Sequence, residues 1–388
     1  MASRVFPLLF FAAAPRVVAA SQTPAPEVGI GFGVDTSAAD IGPIVRLVRT
    51  YLTASDSSAR ARLWFPRNSR DPTQRDLAGR YARQGFPASV VGVLPTDMGD
   101  SVYVVKLLHG RAERAGGPMS PMALERIYAV RAPTSPYGWQ LAGALPRLTQ
   151  SWPTHIANRI VFHYEPGQLR DTTRAKSAAR LVDSAAALFA VRPPPRVDYY
   201  VTASPDAYFR ALGLDFFVLQ SGRGQATGGN ALPDVAGVLA GDPAQGEAYR
   251  HELVHVALGS RVRSGFINEG IAAWLGGSRR QSLRQLYSGL IAFQRSNPNV
   301  TFGQLLRDKS SVPGSAIASS DAWYASGALV TETVFRRAGR PGLRALADTP
   351  PEARPSERVI ARLLGLRSGT ELDRWWRMAP LTAVDATK

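Results

Sequence analysis

The stretch His251-Glu252-Leu253-Val254-His255 holds the residues of this chain that are best suited to chemistry. On a helix, histidines four positions apart lie on one face with their Cβ atoms roughly 5 to 6 Å apart, so both imidazoles can bind one ion. Glu252 lies one position round the helix, where its carboxylate can take a proton from a metal-activated water and pass it to a leaving amine. The pattern predicts a helical metal site with its own general base. A helix with two solvated histidines is the alternative.

A third ligand is predicted at Glu269. A catalytic zinc takes three protein ligands and keeps an open position, and two histidines with a glutamate form one such set. Glu269 follows His255 by 14 residues, and Gly259 and Gly265 permit a turn that brings a second helix back across the first. Zn²⁺ is therefore the predicted cofactor, held by His251, His255 and Glu269. The alternative for Glu269 is a carboxylate that stabilises a helix N-terminus through the helix dipole.

These residues resemble the core of the gluzincin metallopeptidases. The resemblance covers residues 158–388 and rests on the histidine motif, on Phe266-Ile267-Asn268-Glu269-Gly270-Ile271-Ala272 and on Tyr324-Ala325-Ser326-Gly327-Ala328. It implies that His251, His255 and Glu269 bind zinc and that Glu252 is the base. It also implies that the phenol of Tyr324 stabilises the oxyanion of the tetrahedral intermediate. A core or surface tyrosine is the alternative for Tyr324.

Three features separate the sequence from better-known relatives. The segment Gly228-Gly229-Asn230-Ala231 lacks the glutamate with which aminopeptidases of this group grip a free amine, and the interval from His255 to Glu269 is shorter than theirs. Leu258 and Arg261 stand where a metzincin would have glycine and a third histidine. The resemblance therefore implies a zinc peptidase of unassigned specificity, with aminopeptidase activity not expected.

The elements that would position these residues follow from the hydrophobic periodicity. Between residues 158 and 388 short strands give way to helices, which predicts a zincin-like α+β domain with a mostly helical C-terminal half. Predicted strands lie at 160–164, 197–201 and 235–240, and predicted helices at 170–190, 266–275, 283–295, 322–337, 357–364 and 371–376. The strand at 235–240 is a candidate edge that would pair with an extended peptide substrate. An ordinary internal strand is the alternative.

Residues 41–150 predict a separate α+β domain. Ile44, Leu47, Val48 and Tyr51 recur at helical spacing, and a weaker helix at 73–84 and strands at 101–108, 124–132 and 137–144 follow. This order indicates helices on a curved antiparallel sheet. With Trp139 in the last strand, it resembles the cone-shaped domain of the nuclear-transport-factor-2-like superfamily. That resemblance covers residues 41–150 and implies no site residue.

The first forty residues predict export. A basic start at Arg4, an apolar run at 5–14 and small residues at 18–20 are typical of a signal peptide, residues 1–20, with cleavage after Ala20. The run is shorter than the roughly 20 residues that span a bilayer. Residues 21–40, rich in proline, glycine and small residues, are expected to form a flexible segment. The chain has no cysteine and so no disulfide. The predicted location is the periplasm or the outside of a bacterium.

The net charge of +16 comes almost wholly from arginine. It is spread along the chain instead of concentrated in a tail or an aromatic-interleaved patch, so a nucleic-acid partner is not expected. Loose attraction to an anionic membrane or cell wall is the partnership that the charge favours. Two functions stay open: zinc-dependent hydrolysis of a peptide or protein, or a degenerate zincin that binds peptide or cell-wall polymer as a scaffold. Glu252 favours hydrolysis, because a binding protein needs no base.

Overall fold

The computed structural model describes residues 28–54, 57–65, 87–112, 119–218, 229–232, 236–242, 244–307, 316–367 and 369–385. These residues form two open sheets and a helical C-terminal half, which confirms the predicted α+β class. The predicted signal peptide and the helix predicted at 73–84 lie outside the described residues.

The first sheet carries a helix on one face, as predicted. Its strands follow in the order β1 (Val28–Ile30), β2 (Ala88–Thr96), β3 (Gly99–Ala112), β4 (Met119–Arg131) and β5 (Trp139–Ala142). The helices of this region are α1 (Ile41–Thr53), α2 (Ser57–Arg62) and α3 (Leu145–Leu148). The core between α1 and the sheet contains Ile44, Leu47, Val48, Tyr51, Val105, Leu107, Ile127 and Trp139. The helical spacing in the sequence therefore marks the face that α1 buries.

Part of the segment predicted to be flexible, residues 21–40, is a strand. Strand β1 pairs in parallel with the start of β2, with Val28 opposite Ala88. The expectation that this segment lacks regular structure is wrong at these residues. Three residues are too few to show alternation, and the pairing partner lies far along the chain, so no local pattern indicates the strand. Residues 21–27 lie outside the described residues.

The second sheet has the order β10, β11, β8, β7, β6. Its strands are β6 (Thr154–Ala157), β7 (Ile160–Tyr164), β8 (Val197–Val201), β10 (Gly229–Leu232) and β11 (Gly237–Ala240), and β9 (Leu214–Phe217) belongs to the first sheet. Strands β7, β8 and β11 run in parallel, and β6 and β10 are antiparallel to their neighbours. The flanking helices are α4 (Thr172–Leu188) and α5 (Pro205–Ala211).

The strand predicted at 235–240 is not an edge strand. Strand β11 lies between β10 and β8, with Val238 opposite Ala231 on one side and Tyr199 on the other. The edge prediction is therefore wrong for this strand, and the edge is β10. The sequence of β10, Gly-Asn-Ala-Leu, has no β-branched or aromatic residue and so gives no strand signal of its own.

The two sheets are joined. Strand β9 lies in the chain between strands of the second sheet, yet it pairs antiparallel with β4 of the first, with Phe216 opposite Leu124. A buried cluster spans both, and it includes Ala123, Leu145, Tyr208, Phe209, Leu214 and Leu239. Leu239 of the second sheet thus shares a core with Ala123 and Leu214 of the first.

Helices form the rest of the chain. They are α6 (Arg250–Leu258), α7 (Gly265–Gly276), α8 (Leu283–Ser296), α9 (Phe302–Arg307), α10 (Ala316–Ala347), α11 (Ala353–Leu364) and α12 (Gly369–Asp385). Gly339, with φ of 58°, divides α10 into two helical segments. The buried Trp376 of α12 donates its indole N–H to Ser326 of α10 at 2.8 Å. None of the described helices has the length and apolar character needed to cross a membrane.

A partly buried ion pair lies on the second sheet. The Nε2 of His163 donates to Asp198 Oδ1 at 2.9 Å, and Arg196 Nη2 donates to the same oxygen at 2.6 Å. Burial opposes ionisation of Asp198, but these two partners outweigh it and lower its pKa to about 2. The carboxylate of Asp198 is therefore more stable in the folded chain than in the unfolded one.

Asp198→Asn should lower the free energy of unfolding at pH 7 by about 2 kcal/mol. Because the folded pKa lies below the ordinary value of 3.8, the contribution of Asp198 is present above that value and is lost as the pH falls towards about 2. Urea unfolding of the wild type and the variant between pH 7 and pH 2.5 should show the difference shrinking below about pH 4.

Asp183→Asn is the control, because Asp183 pairs with Arg159 but its side chain is 40% exposed. That variant should lose less than about 1 kcal/mol. A difference between wild type and Asp198→Asn that stays constant down to pH 2.5 contradicts the assignment.

Candidate metal centre

Helix α6 is buried on almost every side. Leu253, Val254 and Val256 are at most 2% exposed, and α6 packs between α4 and α7. A helix that is packed on most sides by its neighbours is held in place, and the side chains that it carries are fixed with it. His251 and His255 are only 7% and 9% exposed. The two histidines of α6 are therefore held at fixed positions inside the fold.

The three predicted ligands lie close together. Glu269 Oε2, on α7, lies 2.9 Å from His251 Nε2 and 3.3 Å from His255 Nε2. One potential ligand atom from each of the three residues lies within 4.8 Å of the others. The two imidazole rings are 4.9 Å apart and nearly perpendicular. Two nitrogens and a carboxylate oxygen at this spacing are a donor set suited to zinc.

A backbone carbonyl orients the first histidine. His251 Nδ1 donates to the carbonyl oxygen of Gly277 at 2.8 Å, which leaves Nε2 facing Glu269. Metal-binding histidines commonly donate their second ring nitrogen to a carbonyl or carboxylate, because that bond fixes both the tautomer and the ring orientation. The orientation of the His251 ring, with Nε2 towards Glu269, therefore suits a metal ligand.

The electrostatics of the site favour a cation. Burial works against ionisation of Glu269, yet hydrogen bonds from His251 and His255 hold its pKa below the usual range. Burial also opposes protonation of His255, but the carboxylate of Glu269 outweighs it and raises the pKa of the imidazole. A site that favours a proton among these donors also favours a divalent metal ion, so the residues present fit the zinc that the sequence predicts.

Glu252 lies in a different environment. Its Oε2 accepts a hydrogen bond from the backbone N–H of Ala231, on the edge strand β10, at 2.7 Å. Burial raises the pKa of Glu252, and the nearby His251 and His255 only partly offset it. A carboxylate with a raised pKa is a stronger base, which suits a group that takes a proton from water.

Tyr324 lies beside the ligands. Its ring is 5.9 Å from that of His251, at 73°. Burial raises the pKa of Tyr324 to about 12, and the charge of Glu269 acts in the same direction. The phenol therefore keeps its proton at neutral pH. The guanidinium of Arg279 lies 5.8 Å from the centre of this ring and is paired with Asp321 at 3.1 Å.

Glycines let the three helices of the site approach closely. A Cβ placed on Gly270 of α7 would lie 2.4 Å from the carbonyl carbon of Gly327 on α10. One placed on Gly327 would lie 2.7 Å from the Cα of Gly270. At the other end of α7, a Cβ on Gly276 would meet the backbone nitrogen of His251 at 2.5 Å. No side chain fits at these positions, because the contacts are with backbone.

The structure thus brings His251, His255, Glu269, Glu252 and Tyr324 into one region, where the sequence predicted them. Sequence reasoning missed the Gly277 carbonyl, the Ala231 N–H and Arg279. The Gly-Gly pair at 276–277 is visible in the sequence as the end of a helix. The sequence does not show which side chain the Gly277 carbonyl contacts. Two histidines outside the site have acidic partners: His109 lies 2.9 Å from Glu125, and His163 is paired with Asp198.

Gly327→Ala should destabilise the fold by about 3 kcal/mol, because the added methyl group forces α7 and α10 apart. Urea unfolding monitored by circular dichroism measures the change. Gly289→Ala in α8 is the matched control, because nothing lies within 4 Å of a Cβ there. Alanine favours a helix over glycine, so the control should gain about 0.5 kcal/mol. Equal effects in the two variants would show that the crossing is not tight.

Comparisons of the whole chain with known proteins do not assign it to a family. No protein-family model matches the chain, and no curated protein matches it either. The function is therefore inferred from the residues of the site and their geometry.

Proposed function

We propose that this protein is a zinc-dependent peptidase of the gluzincin type in the cell envelope, either an endopeptidase or of unassigned specificity. The observation that carries the proposal is the convergence of His251, His255 and Glu269 on one point, with ligand atoms within 4.8 Å of one another. Glu252 lies next to that point on the same helix as the histidines. Export to the periplasm or the cell exterior is part of the proposal and rests on the N-terminal sequence.

The residues divide into those that hold the metal and those that handle protons. His251, His255 and Glu269 would hold Zn²⁺ and leave a position open for substrate and water. Zinc supplies, when bound, a Lewis acid that polarises the scissile carbonyl and lowers the pKa of water. The remaining steps belong to side chains of the chain itself.

Glu252 moves the proton. As the water oxygen bonds to the carbonyl carbon, the Glu252 carboxylate takes a proton from it. The same carboxyl group then gives that proton to the amine nitrogen as the carbon–nitrogen bond breaks. Burial raises the pKa of Glu252, which makes its carboxylate a stronger base for the first of these transfers.

Tyr324 stabilises the charge that develops on the carbonyl oxygen. A phenol whose pKa is about 12 donates a hydrogen bond and does not lose its proton. Donors aimed at a developing oxyanion in a buried site contribute strongly to catalysis, because no solvent has to reorganise. Arg279 adds positive charge over the ring of Tyr324.

The edge strand supports a peptide as substrate. Strand β10 pairs with β11 along one side only in the described sheet. The bond from the Ala231 N–H to Glu252 places the base directly against this strand. An extended peptide that pairs with β10 would therefore run past the base and the three ligands, and main-chain pairing of this kind binds peptides with little dependence on their sequence.

Glu252→Gln should keep its zinc and lose peptidase activity by at least a hundredfold, because the amide cannot accept the water proton. Bound zinc is measured by mass spectrometry of the purified chain, and activity by digestion of an unbiased peptide mixture, which also separates endo- from exo-cleavage. His255→Ala should lose both zinc and activity. His155→Ala, outside the site, should keep both.

Full activity in Glu252→Gln would contradict the mechanism. Stoichiometric zinc in a wild-type chain that cleaves no peptide would favour the alternative, a degenerate zincin that binds peptide or cell-wall polymer.

Tyr324→Phe should lower kcat by roughly a hundredfold or more with little change in KM, because the lost hydrogen bond forms only as charge develops on the oxygen. Zinc content should stay at the wild-type level. Tyr137→Phe, in which the lost hydroxyl lies 2.8 Å from Thr50 Oγ1 on α1, is the control and should leave kcat unchanged. A rise in KM at constant kcat would instead assign Tyr324 to substrate binding.

A further inference from the structure

A cleft of about 710 Å³ opens on the surface of the C-terminal helices, formed by α9, α11 and the start of α12. Its ionisable lining residues are Arg307, Arg354, Arg358, Arg362, Arg367 and Glu357. Five guanidinium groups against one carboxylate leave a net of four positive charges around this cleft.

The arginines form a row that packing does not require. Arg354, Arg358 and Arg362 are four positions apart on α11, so they lie on one face at a rise of about 6 Å each. The opposite face of α11 buries Ile360 and Leu364 in the core. Like charges at this spacing destabilise a helix. The row therefore works against the stability of α11, which points to a role outside folding.

The guanidinium groups of the five arginines have no ion-pair partner in the described part of the chain. None of these groups lies within 4 Å of a described carboxylate oxygen, although the backbone N–H of Arg367 donates to Glu371 Oε2 at 2.7 Å. Arginines elsewhere, such as Arg159, Arg196 and Arg280, are paired through their guanidinium groups. Apart from Glu357, no described carboxylate in the cleft lining offsets its positive charge. An anion from outside the chain would neutralise it.

Glu357 of α11 lies against the other two helices that line the cleft. A Cβ on Gly303 of α9 would lie 3.1 Å from Glu357 Oε2, and one on Gly369 of α12 would lie 3.3 Å from Oε1. The carboxylate therefore fits into a gap between two glycines on different helices. Arg307 Nη1 lies 3.4 Å from the same Cβ position on Gly303. The cleft is built from three packed elements instead of from one solvated helix face.

We propose that this cleft binds a ligand with two or more clustered phosphate groups. Guanidinium groups bind phosphate oxygens in pairs, and arginine is weakly hydrated, so it gives up water for phosphate more readily than lysine does. The volume lies in the range of small-molecule sites, and one phosphate is too small to contact five arginines around it. A soluble phosphorylated molecule and the phosphorylated headgroup of a membrane lipid share this chemistry.

Isothermal titration of the full chain with sodium tripolyphosphate tests the proposal. We expect one site per chain, at least tenfold tighter binding than for inorganic phosphate, and weaker binding at 300 mM than at 50 mM sodium chloride. Changing Arg354, Arg358 and Arg362 together to glutamine should weaken the binding of tripolyphosphate at least tenfold. The thermal unfolding midpoint of this variant should equal or exceed that of the wild type, because repulsion along α11 is removed.

A second triple variant is the control for charge alone. Arg46→Gln, Arg180→Gln and Arg284→Gln together remove the same charge from exposed positions outside the cleft. This control should bind tripolyphosphate within twofold of the wild type. Equal losses in the two triple variants would overturn the proposal, as would citrate binding as tightly as tripolyphosphate or duplex DNA binding in the absence of tripolyphosphate binding.

Binding to lipid vesicles distinguishes a soluble phosphorylated ligand from the phosphorylated headgroup of a membrane lipid. Phosphatidylcholine vesicles with and without a lipid that carries two headgroup phosphates are sedimented with the chain. Sedimentation that needs the phosphorylated lipid, and that tripolyphosphate reverses, identifies a headgroup. Tripolyphosphate binding without sedimentation identifies a soluble ligand. Sedimentation that the cleft variant leaves unchanged would show that membrane attraction lies elsewhere, and the proposal would then fail for lipids.

Discussion

The close crossing of α7 and α10 is the constraint on which the candidate site depends. Gly270 and Gly327 meet backbone to backbone, with no room for a Cβ on either. Glu269 precedes Gly270 by one residue, and Tyr324 lies one helical turn before Gly327. A single contact therefore sets the distance between the carboxylate that would bind the metal and the phenol that would bind the oxyanion. Gly276 does the same for α7 and α6.

The carboxylates of Glu252 and Glu269, on neighbouring helices, have pKa values that their surroundings shift in opposite directions. Both are partly buried, and this loss of solvent by itself raises the pKa of each. Glu269 accepts hydrogen bonds from two imidazoles, and its pKa falls, whereas Glu252 accepts one from a backbone N–H, and its pKa rises. One group is thus kept as an anion, and the other is poised to exchange protons. Such a separation between two similar groups is what distinct chemical roles require.

The sequence predicted the local features well and the long-range ones poorly. Helices α4, α6, α7 and α8 have strong apolar periodicity or a histidine motif, and the structure has them within a few residues of the predicted bounds. Strands β1, β2, β9 and β10 were not predicted, because each is short, interrupted by glycine or proline, or lacks β-branched residues. Their pairing is decided by partners far along the chain, which a local pattern does not reveal. The Gly277 carbonyl was missed for the same reason, since its place beside His251 depends on how two helices pack.

Strand β9 has a consequence for how the chain assembles. The first sheet gains this strand only from residues 214–217, which follow three strands of the second sheet in the sequence. If the chain is exported N-terminus first, as the predicted signal peptide implies, the first sheet is complete only when residues 214–217 have emerged, after β6, β7 and β8. Until then the edge of β4 is open to pairing with other chains. The order in which the strands leave the translocation site would therefore decide how long this edge stays unpaired.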